Sequence, residues 1–215
     1  IPRNPEQGRG GARPAPSVKK ELRVNGIQRP ASEFVGAVNV VAFSAEDIDL
    51  VVGSPSVRRR YLDILISQSD PAYLKMIQRY GRVVTQRNSL LRQMRDGRVG
   101  PDELDFWNDR LVNEGSAIIE RRARAVRRLA EEAAPRHLAL SGGHERLDVR
   151  YRPRITAIAE DGPEEIPSST VDLISAMTAA LNDVRQRELA QAQTVIGPHR
   201  DEVSLSLNEE PAGAF

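Results

Sequence analysis

The sequence lacks cysteine, which excludes disulfide bonds and thiolate metal sites. It also lacks a signal peptide and any apolar run near the roughly 20 residues that a helix needs to cross a bilayer. Aromatic residues are few, at 4% of the 215 residues, beside 40% hydrophobic and 28% charged residues. This composition predicts a soluble, mainly helical, cytoplasmic protein without a membrane partner.

Lysine is scarce as well. Lys19, Lys20 and Lys75 are the lysines among 31 basic residues, and all the others are arginines. Arginine suits phosphate recognition, because its planar guanidinium can contact two oxygens at once. A GC-rich genome is the explanation we favour for the total, and the net charge of +1 indicates no general affinity for nucleic acid. A functional interpretation is therefore reserved for local arginine clusters.

Common catalytic motifs are missing from the sequence. It has no Gly-x-x-x-x-Gly-Lys-Ser/Thr phosphate loop, no His-Glu-x-x-His zinc pair and no Gly-x-Ser-x-Gly turn. His137, His144 and His199 do not have the spacing of metal ligands. We therefore expect this chain to catalyse no reaction by itself and to bind no metal.

The chain opens with a tail and short strand signals. Residues 1–17, rich in Pro, Gly and Arg, predict a loop or tail. Leu22 and Val24 alternate with polar neighbours before Asn25-Gly26, the strongest local signal for a β-hairpin. Residues 38–43 form a short β-branched run, which predicts a buried strand.

Long helices follow. Ser54 and Asp70, each followed by proline, predict two helix starts, and a third helix begins near Pro101 and is expected to stop at Pro135. Its roughly 34 residues would reach on the order of 50 Å. The apolar residues of the second and third helices recur at near-heptad spacing: Tyr73, Ile77, Tyr80, Val84, Leu91 and Met94; Leu104, Trp107, Leu111, Ile118, Val126 and Leu129. These stripes predict an antiparallel helical hairpin that projects as a coiled-coil-like arm.

Strand signals return after the hairpin. Residues 147–151 and 203–207 alternate apolar and polar side chains, separated by a loop containing Gly162 and Pro163 and by another helix. The face of that helix expected to be buried carries Val171, Ile174, Leu181 and Leu189. The order predicts a mainly α, α+β fold, with the helical hairpin inserted in one sheet-containing core that holds the first and last strands.

Three consecutive arginines mark the first candidate site. Arg58, Arg59 and Arg60 lie in the first turns of a predicted helix, where the helix dipole disfavours positive charge. Phosphate of a nucleotide or of DNA would offset that cost. Structural pairing with nearby acids is the interpretation we favour; these acids are Glu46, Asp47, Asp49 and Asp63.

Two polar segments are further candidates. Residues 85–91 lie within the hairpin's first helix, and we interpret their buried polar side chains as fixing its register. The segment Gly-Pro-His-Arg-Asp at residues 197–201 has two interpretations that stay open. It is either a turn between strands, with Arg200 and Asp201 paired locally, or a loop that faces a nucleotide site.

A basic stripe lies on the third helix. Arg121, Arg124 and Arg128 share one helix face and could contact a phosphate backbone. Acidic neighbours offer a structural explanation as i,i+4 partners: Glu120, Glu131 and Glu132. A solvated face is the interpretation we favour.

Taken together, the segments resemble the RecF family. The motifs are Phe-x-x-Glu-Asp-x-x-Leu at residues 43–50, Gly-x-Pro-x-x-Arg-Arg-x-Tyr-Leu-Asp at 53–63, Asp-Pro-x-Tyr at 70–73, Gln-Arg-Asn-x-Leu-Leu at 86–91 and Gly-Pro-His-Arg-Asp at 197–201. Their order and spacing match from about Lys19 onward. One departure is Ala45, where the family usually has proline.

The resemblance implies an ATPase head related to SMC and Rad50 proteins, with the arm as a second domain. Residues 1–50 and 192–215 would be partial head, and residues 51–191 the arm. The phosphate-binding loop would precede Ile1, and the signature and magnesium-binding segments would follow Phe215. Glu46, Asp47, His199, Arg200 and Asp201 would couple the nucleotide lobe to the arm.

A role in DNA repair, replication, recombination and the SOS response is also implied. The complete protein would be a weak DNA-dependent ATPase that binds ATP and Mg²⁺, dimerises with ATP and engages single-stranded DNA or a single-strand/double-strand junction. With RecO and RecR it would load recombinase at gaps. The alternatives are the arm of another SMC-like ATPase and a coiled-coil interaction module without ATPase activity.

Overall fold

A computed structural model describes residues 21–37, 40–155, 166–167 and 169–214 of the chain. The predicted tail at residues 1–17 and the loop around Gly162 and Pro163 lie outside the described residues. The described part is built mainly from helices, with two small antiparallel sheets. None of its helices has both the length and the apolar character needed to cross a membrane.

The predicted N-terminal hairpin is confirmed. Strand β1 (Arg23–Val24) pairs antiparallel with β2 (Ile27–Gln28). Asn25 and Gly26 make the turn with φ values of 50° and 80°, in the left-handed region that these two residue types tolerate best. A short helix, α1 (Ala31–Phe34), follows.

The buried strand predicted at residues 38–43 is wrong for its described part, residues 40–43. These residues belong to no helix or strand, and Val41 and Phe43 are 95% and 93% exposed. A β-branched run becomes a strand when a neighbouring strand satisfies its backbone groups and covers its side chains. No described strand pairs with these residues.

Five further helices follow: α2 (Asp49–Val52), α3 (Pro55–Ser69), α4 (Pro71–Arg95), α5 (Asp105–Leu140) and α6 (Thr170–Gln191). Short 3₁₀ turns occupy Ala45–Ile48, Pro101–Leu104, Pro198–Arg200 and Ala212–Ala214. The predicted starts of α3 and α4 are confirmed. Asp70 caps α4, since its carboxylate accepts hydrogen bonds from the amides of Ala72 and Tyr73 at 2.9 and 3.1 Å.

The prediction that Pro135 stops the third helix is wrong. Helix α5 continues through Pro135 to Leu140 and ends where Gly142 and Gly143 adopt positive φ. A proline removes one backbone hydrogen bond, a cost that neighbouring contacts can offset. Here His137 Nε2 lies 2.8 Å from a carboxylate oxygen of Glu145, beyond the helix end.

Helices α4 and α5 lie antiparallel. Arg79 near the start of α4 pairs with Glu114, whereas Arg87, farther along, bonds Asn108, which precedes Glu114 on α5. Helix α6 packs against both, so that α5 is covered on several sides rather than standing apart. The three helices share one core with α3 and with the strands that follow α5.

The buried faces were predicted in part. Tyr73, Tyr80, Leu91, Leu111 and Ile118 are buried as expected. On α6, Leu181 is buried but Val171 is 71% exposed. The face of α6 that packs inward is shifted, with Leu173, Met177, Ala180, Leu181 and Val184 buried.

One sheet joins the segments on either side of α6. Strand β3 (Leu147–Arg152) pairs antiparallel with β4 (Glu202–Leu207), and β4 pairs with β5 (Glu210–Pro211). The strands predicted at residues 147–151 and 203–207 are therefore confirmed. The expectation that the first and last strands share a sheet is wrong, because β1 and β2 form a separate two-stranded sheet.

Removing the cap of α4 should destabilise the fold. We expect Asp70→Ala to lower the free energy of unfolding by about 1 kcal/mol, because two amides lose their acceptor. Ser54→Ala is the matched control, since the Ser54 side chain accepts no capping hydrogen bond. Urea unfolding of both variants tests this, and equal losses would contradict it.

Candidate functional site

A buried arginine in the middle of α5 organises the candidate site. The Arg122 side chain is 3% exposed. It donates to both carboxylate oxygens of Asp63 at 2.9 and 3.1 Å, to Asp201 at 3.1 Å and to the Pro198 carbonyl at 2.6 Å. We call the connected side chains the Arg122 cluster; they are Asp63, Tyr73, Arg122, Tyr151 and Asp201.

The members of the Arg122 cluster come from different parts of the fold. Asp63 lies on α3, Tyr73 on α4, Arg122 on α5 and Tyr151 on β3, while Asp201 immediately precedes β4. Because a guanidinium offers donors in fixed directions, these elements must keep their relative positions for all the hydrogen bonds to form. The cluster therefore fixes the relative positions of these elements.

Asp201 is the most enclosed acid of the cluster. It is fully buried and accepts from the Tyr151 hydroxyl, from the Arg154 amide at 2.8 Å and from Arg122. Burial raises the pKa of Asp201, although Arg122 and these hydrogen bonds act in the opposite direction. Burial likewise raises the pKa of Tyr73, so that this residue remains a hydroxyl donor to Asp63 at 2.5 Å.

A cleft of about 600 Å³ opens beside the cluster. Its polar lining includes Arg59, Arg60, Asp63, Arg122 and His199. Arg59 donates to the Asp201 carbonyl at 2.7 Å, while burial and the nearby charge of Arg122 lower the pKa of Arg59. The cleft thus joins the predicted arginine triplet to the Gly-Pro-His-Arg-Asp segment.

His199 is held as a neutral ring at one wall of the cleft. Its Nε2 lies 3.2 Å from the Thr194 carbonyl, which can only accept, so Nε2 carries the proton and Nδ1 accepts from the Tyr80 hydroxyl at 2.9 Å. Burial lowers the pKa of His199 to about 4. A buried neutral imidazole with both nitrogens engaged serves here as a structural link between α4 and the 194–201 segment.

Arg58 links two chain segments that lie far apart in the sequence. It contacts both Glu202 carboxylate oxygens at 2.9 and 3.2 Å and donates to the Gly53 carbonyl at 2.8 Å and the Leu50 carbonyl at 3.4 Å. The end of α2 is thereby tied to the start of β4.

The polar seam predicted at residues 85–91 is confirmed for Arg87 and Asn88, which are buried and partly buried, whereas Thr85 and Gln86 are exposed. Arg87 donates to Glu188 at 2.6 Å, to Asn108 at 2.9 Å and to the Thr194 hydroxyl at 2.9 Å. Asn88 accepts from the Thr194 amide at 2.7 Å. The seam fixes the positions of α4, α5 and α6 together and not only the register of two helices.

The predicted partners of the arginine triplet are wrong. Glu202 pairs with Arg58, and Arg59 bonds a backbone carbonyl, whereas Asp63 pairs with Arg122. In the described part of the chain, Glu46 and Asp47 bond Ser44 in a local cap and do not reach residues 199–201. Local acids were expected because they are close in sequence, but the fold supplies a closer acid from β4.

The local pair of Arg200 and Asp201, one of the two interpretations left open for residues 197–201, is wrong. Asp201 pairs with Arg122, and Arg200 donates instead to the Thr194 carbonyl at 3.3 Å. The segment connects α6 to β4 and not two strands. Full burial of Asp201 explains the difference, because an enclosed carboxylate needs several donors that its sequence neighbour cannot supply.

The basic stripe on α5 is largely neutralised. Arg121 pairs with Asp70 at 3.1 Å and Arg124 with Glu120 at 2.6 Å. Arg128 has no ion pair within the described residues, and Glu132 pairs with Arg136. The favoured solvated face is thus supported, with the predicted acid Glu120 for Arg124 and a different acid, Asp70, for Arg121.

Arg122, which is as buried as Arg87, was not among the predicted site residues. Arg122 falls within the apolar stripe of α5, four residues after Ile118 and four before Val126, both of which are buried. An arginine at a position of the apolar repeat is the signal that could have identified it. Tyr151 and Glu188 gave no comparable signal, because their partners are distant in sequence.

Loss of the central guanidinium should be far more damaging than loss of a surface one. We expect Arg122→Met to lower the free energy of unfolding by about 3–5 kcal/mol, because Asp63 and Asp201 lose their counterion. Arg124→Met, on the same helix and also paired with a carboxylate, should cost less than about 1 kcal/mol. Similar losses of unfolding free energy in the two variants, measured with urea, would contradict this role of the Arg122 cluster.

His199 should make the fold sensitive to mild acid. Its pKa of about 4 lies below its ordinary 6.5, so the unfolded chain binds a proton first as the pH falls through this range. Stability should therefore decrease between pH 6.5 and 4, by up to about 3 kcal/mol from this residue. Urea unfolding should show a smaller pH dependence for His199→Gln, while the exposed-site control His144→Gln keeps the native dependence.

Comparisons with known proteins relate the chain to one group. It is 38% identical over 203 residues to the DNA replication and repair protein RecF of Herpetosiphon aurantiacus, covering 94% of this chain and 49% of that protein. It is 36% identical over 208 residues to the protein of that name from a Synechocystis species, covering 93% and 52%. The chain thus spans about half the length of the curated relatives that it matches. No family model matches it.

Solved structures agree with these relatives. The structure of the recombination mediator protein RecF with ATP, described as part of the RecFOR pathway, superposes with a TM-score of 0.80 at 26% identity. The alignment covers 90% of this chain and 50% of that one. A second RecF structure, with the ligand named ATPrS, gives the same score over 92% and 51%.

Proposed function

We propose that this chain acts in recombinational DNA repair at single-strand gaps, since it belongs to the RecF family. It matches its relatives over about half of their length. The observation that carries the proposal is the agreement of sequence and fold along nearly the whole chain. Roles in DNA replication and the SOS response, and a cytoplasmic location, belong to the same proposal.

The proposal includes ATP-dependent action of the complete protein. That protein would bind ATP and Mg²⁺, dimerise in their presence and hydrolyse ATP weakly when DNA is bound. The sequence has no phosphate-binding loop motif, and the described residues contain no group of three or more acidic or histidine side chains placed to hold a metal. Neither ligand is assigned to the described residues.

The proposed partners are DNA, RecO and RecR. The DNA would be single-stranded or contain a single-strand/double-strand junction, and the complex would help to load recombinase. Among the predicted phosphate contacts, Arg58, Arg59, Arg121 and Arg124 already bond protein acceptors. Arg60 and Arg128 have no such partners in the described part of the chain, so a proposed phosphate contact rests mainly on these two.

We also propose two structural units: a helical arm at residues 51–191 and a partial ATPase head at residues 1–50 and 192–215. Strand β3, from the proposed arm, pairs with β4, from the proposed head. Arg58, Arg59 and Arg122 of the proposed arm also bond residues 198–202. The two units would therefore move together at this junction.

The proposed coupling route runs through Arg58. Glu46 and Asp47 begin the turn that leads into α2, and Arg58 holds the end of α2. The same guanidinium holds Glu202, next to Asp201 and two residues after Arg200. A displacement of residues 46–53 would thus reach His199, Arg200 and Asp201 through one side chain.

Arg58→Ala in the full-length protein tests this route. We expect ATP-dependent dimerisation, followed by light scattering, to weaken at least tenfold while the protein stays folded, because only a partly exposed ion pair is lost. Arg136→Ala, an exposed paired arginine far along α5, should dimerise like the wild type. Equal dimerisation of both variants would contradict the route, and a wild-type protein that binds neither ATP nor DNA would contradict the proposed function.

A further inference from the structure

Two asparagines occupy the same kind of turn in this fold. Asn25 and Gly26 connect β1 to β2, and Asn208 and Glu209 connect β4 to β5, so that each pair forms the whole loop between two paired strands. All four residues have positive φ, at 50° and 80° in the first turn and at 50° and 75° in the second. The two turns differ in what surrounds the asparagine side chain.

The Asn208 side chain is held at both ends of its amide. Its Oδ1 accepts from the Arg146 backbone amide at 2.9 Å, and its Nδ2 donates to the His144 carbonyl at 3.1 Å. The Asn208 backbone amide also donates to the Arg146 carbonyl at 3.0 Å. The side-chain amide can therefore approach the backbone of its own turn only if these hydrogen bonds break.

The Asn25 side chain is free in comparison. It is exposed, and it has no hydrogen-bond partner in the part of the chain that the structure describes. The Gly26 amide donates to none of the described backbone carbonyls, and nothing lies within 4 Å of the position that a Cβ of Gly26 would take. No contact therefore keeps the side-chain carbonyl carbon of Asn25 from the backbone nitrogen of Gly26.

The hairpin around Asn25 is also weakly held. Strands β1 and β2 contain two residues each, and one hydrogen bond from the Arg29 amide to the Leu22 carbonyl, at 2.9 Å, extends their pairing. Ile27 is 59% exposed, so little apolar surface is buried here. Two-stranded hairpins of this kind are marginally stable, and the local opening that lets the Asn25 backbone rotate costs little.

From this contrast we propose that Asn25 is a site of spontaneous deamidation in the folded protein, and that its hydrogen bonds protect Asn208 from the same reaction. The Gly26 backbone nitrogen loses its proton to solvent and attacks Cγ of Asn25. A C–N bond forms between them, the bond from Cγ to Nδ2 breaks, and ammonia leaves with a proton from solvent. The product is a five-membered succinimide ring.

Water completes the reaction by opening the ring at either of its two carbonyls. One opening gives aspartate in the normal chain, and the other gives isoaspartate, whose backbone passes through the former side chain. The net change consumes one water molecule and releases one ammonia molecule, without an oxidant, a reductant or a cofactor. The co-reactant is therefore solvent alone, and the reaction is independent of the function proposed above.

The products change the hairpin in two ways. Each adds a carboxylate at the turn, which lowers the formal net charge of the chain from +1 to zero. Isoaspartate also lengthens the backbone of the turn by a methylene group. Two-residue loops fit paired strands only with a particular backbone twist, so we expect β1 and β2 to lose their pairing in the isoaspartate form.

Peptide mapping of the purified chain, incubated at neutral pH, tests the proposal. We expect Asn25 to convert into two products of equal mass and different chromatographic retention, at least about tenfold faster than Asn208. Gly26→Ala should slow the conversion about tenfold, because a Cβ crowds the attacking nitrogen, even though alanine strains the turn. Equal rates at Asn25 and Asn208, or an unchanged rate in Gly26→Ala, would overturn the proposal.

Glu209→Gly separates the effect of sequence from that of structure, because it gives Asn208 the same following residue as Asn25. In the folded variant, Asn208 should still convert about tenfold more slowly than Asn25, since its side-chain amide stays bonded. In urea, where those bonds are lost, the two sites should convert at similar rates. Equal rates in the folded variant would show that the free side chain does not select Asn25, and conversion of Asn25 in urea alone would place the reaction outside the folded protein; either result contradicts the proposal.

Discussion

The fold depends on the hydrogen-bond acceptors that surround one buried guanidinium, that of Arg122. Arg122 lies where an apolar residue would ordinarily pack, and an unpaired charge there would cost several kcal/mol. Asp63 on α3, and Asp201 with the Pro198 carbonyl just before β4, meet that requirement from two segments that lie far apart in the sequence. Since the donor directions are fixed, the requirement determines where α3 lies and where the chain must pass before it enters β4.

The segment at residues 194–201 is where the polar interactions converge. Thr194 belongs to the Arg87 seam, His199 contacts Tyr80, and Asp201 completes the Arg122 cluster. This connection between a helix and a strand is thereby bonded to α4 and α5.

Local signals in the sequence predicted local structure well. Asn25-Gly26 made the expected turn, and Asp70 capped α4 as its position before proline indicated. Alternation correctly predicted β3 and β4. Partners could not be predicted in the same way, because Arg58 bonds Glu202 across 144 residues and no local rule selects that acid. The strand prediction for residues 40–43 was wrong for the same reason, because strand formation depends on a neighbouring strand that the run itself does not specify.

The pairing of β3 with β4 has a consequence for the order of folding during synthesis. Helix α6 lies between these strands in sequence, and the acceptors of Arg122 near residue 200 are made about 80 residues after Arg122 itself, so loop closure delays their contact. Until the ribosome releases residues 198–207, Arg122 and Tyr151 lack their shared acceptor. The helices can collapse earlier, but the native arrangement becomes fixed only when this late segment docks.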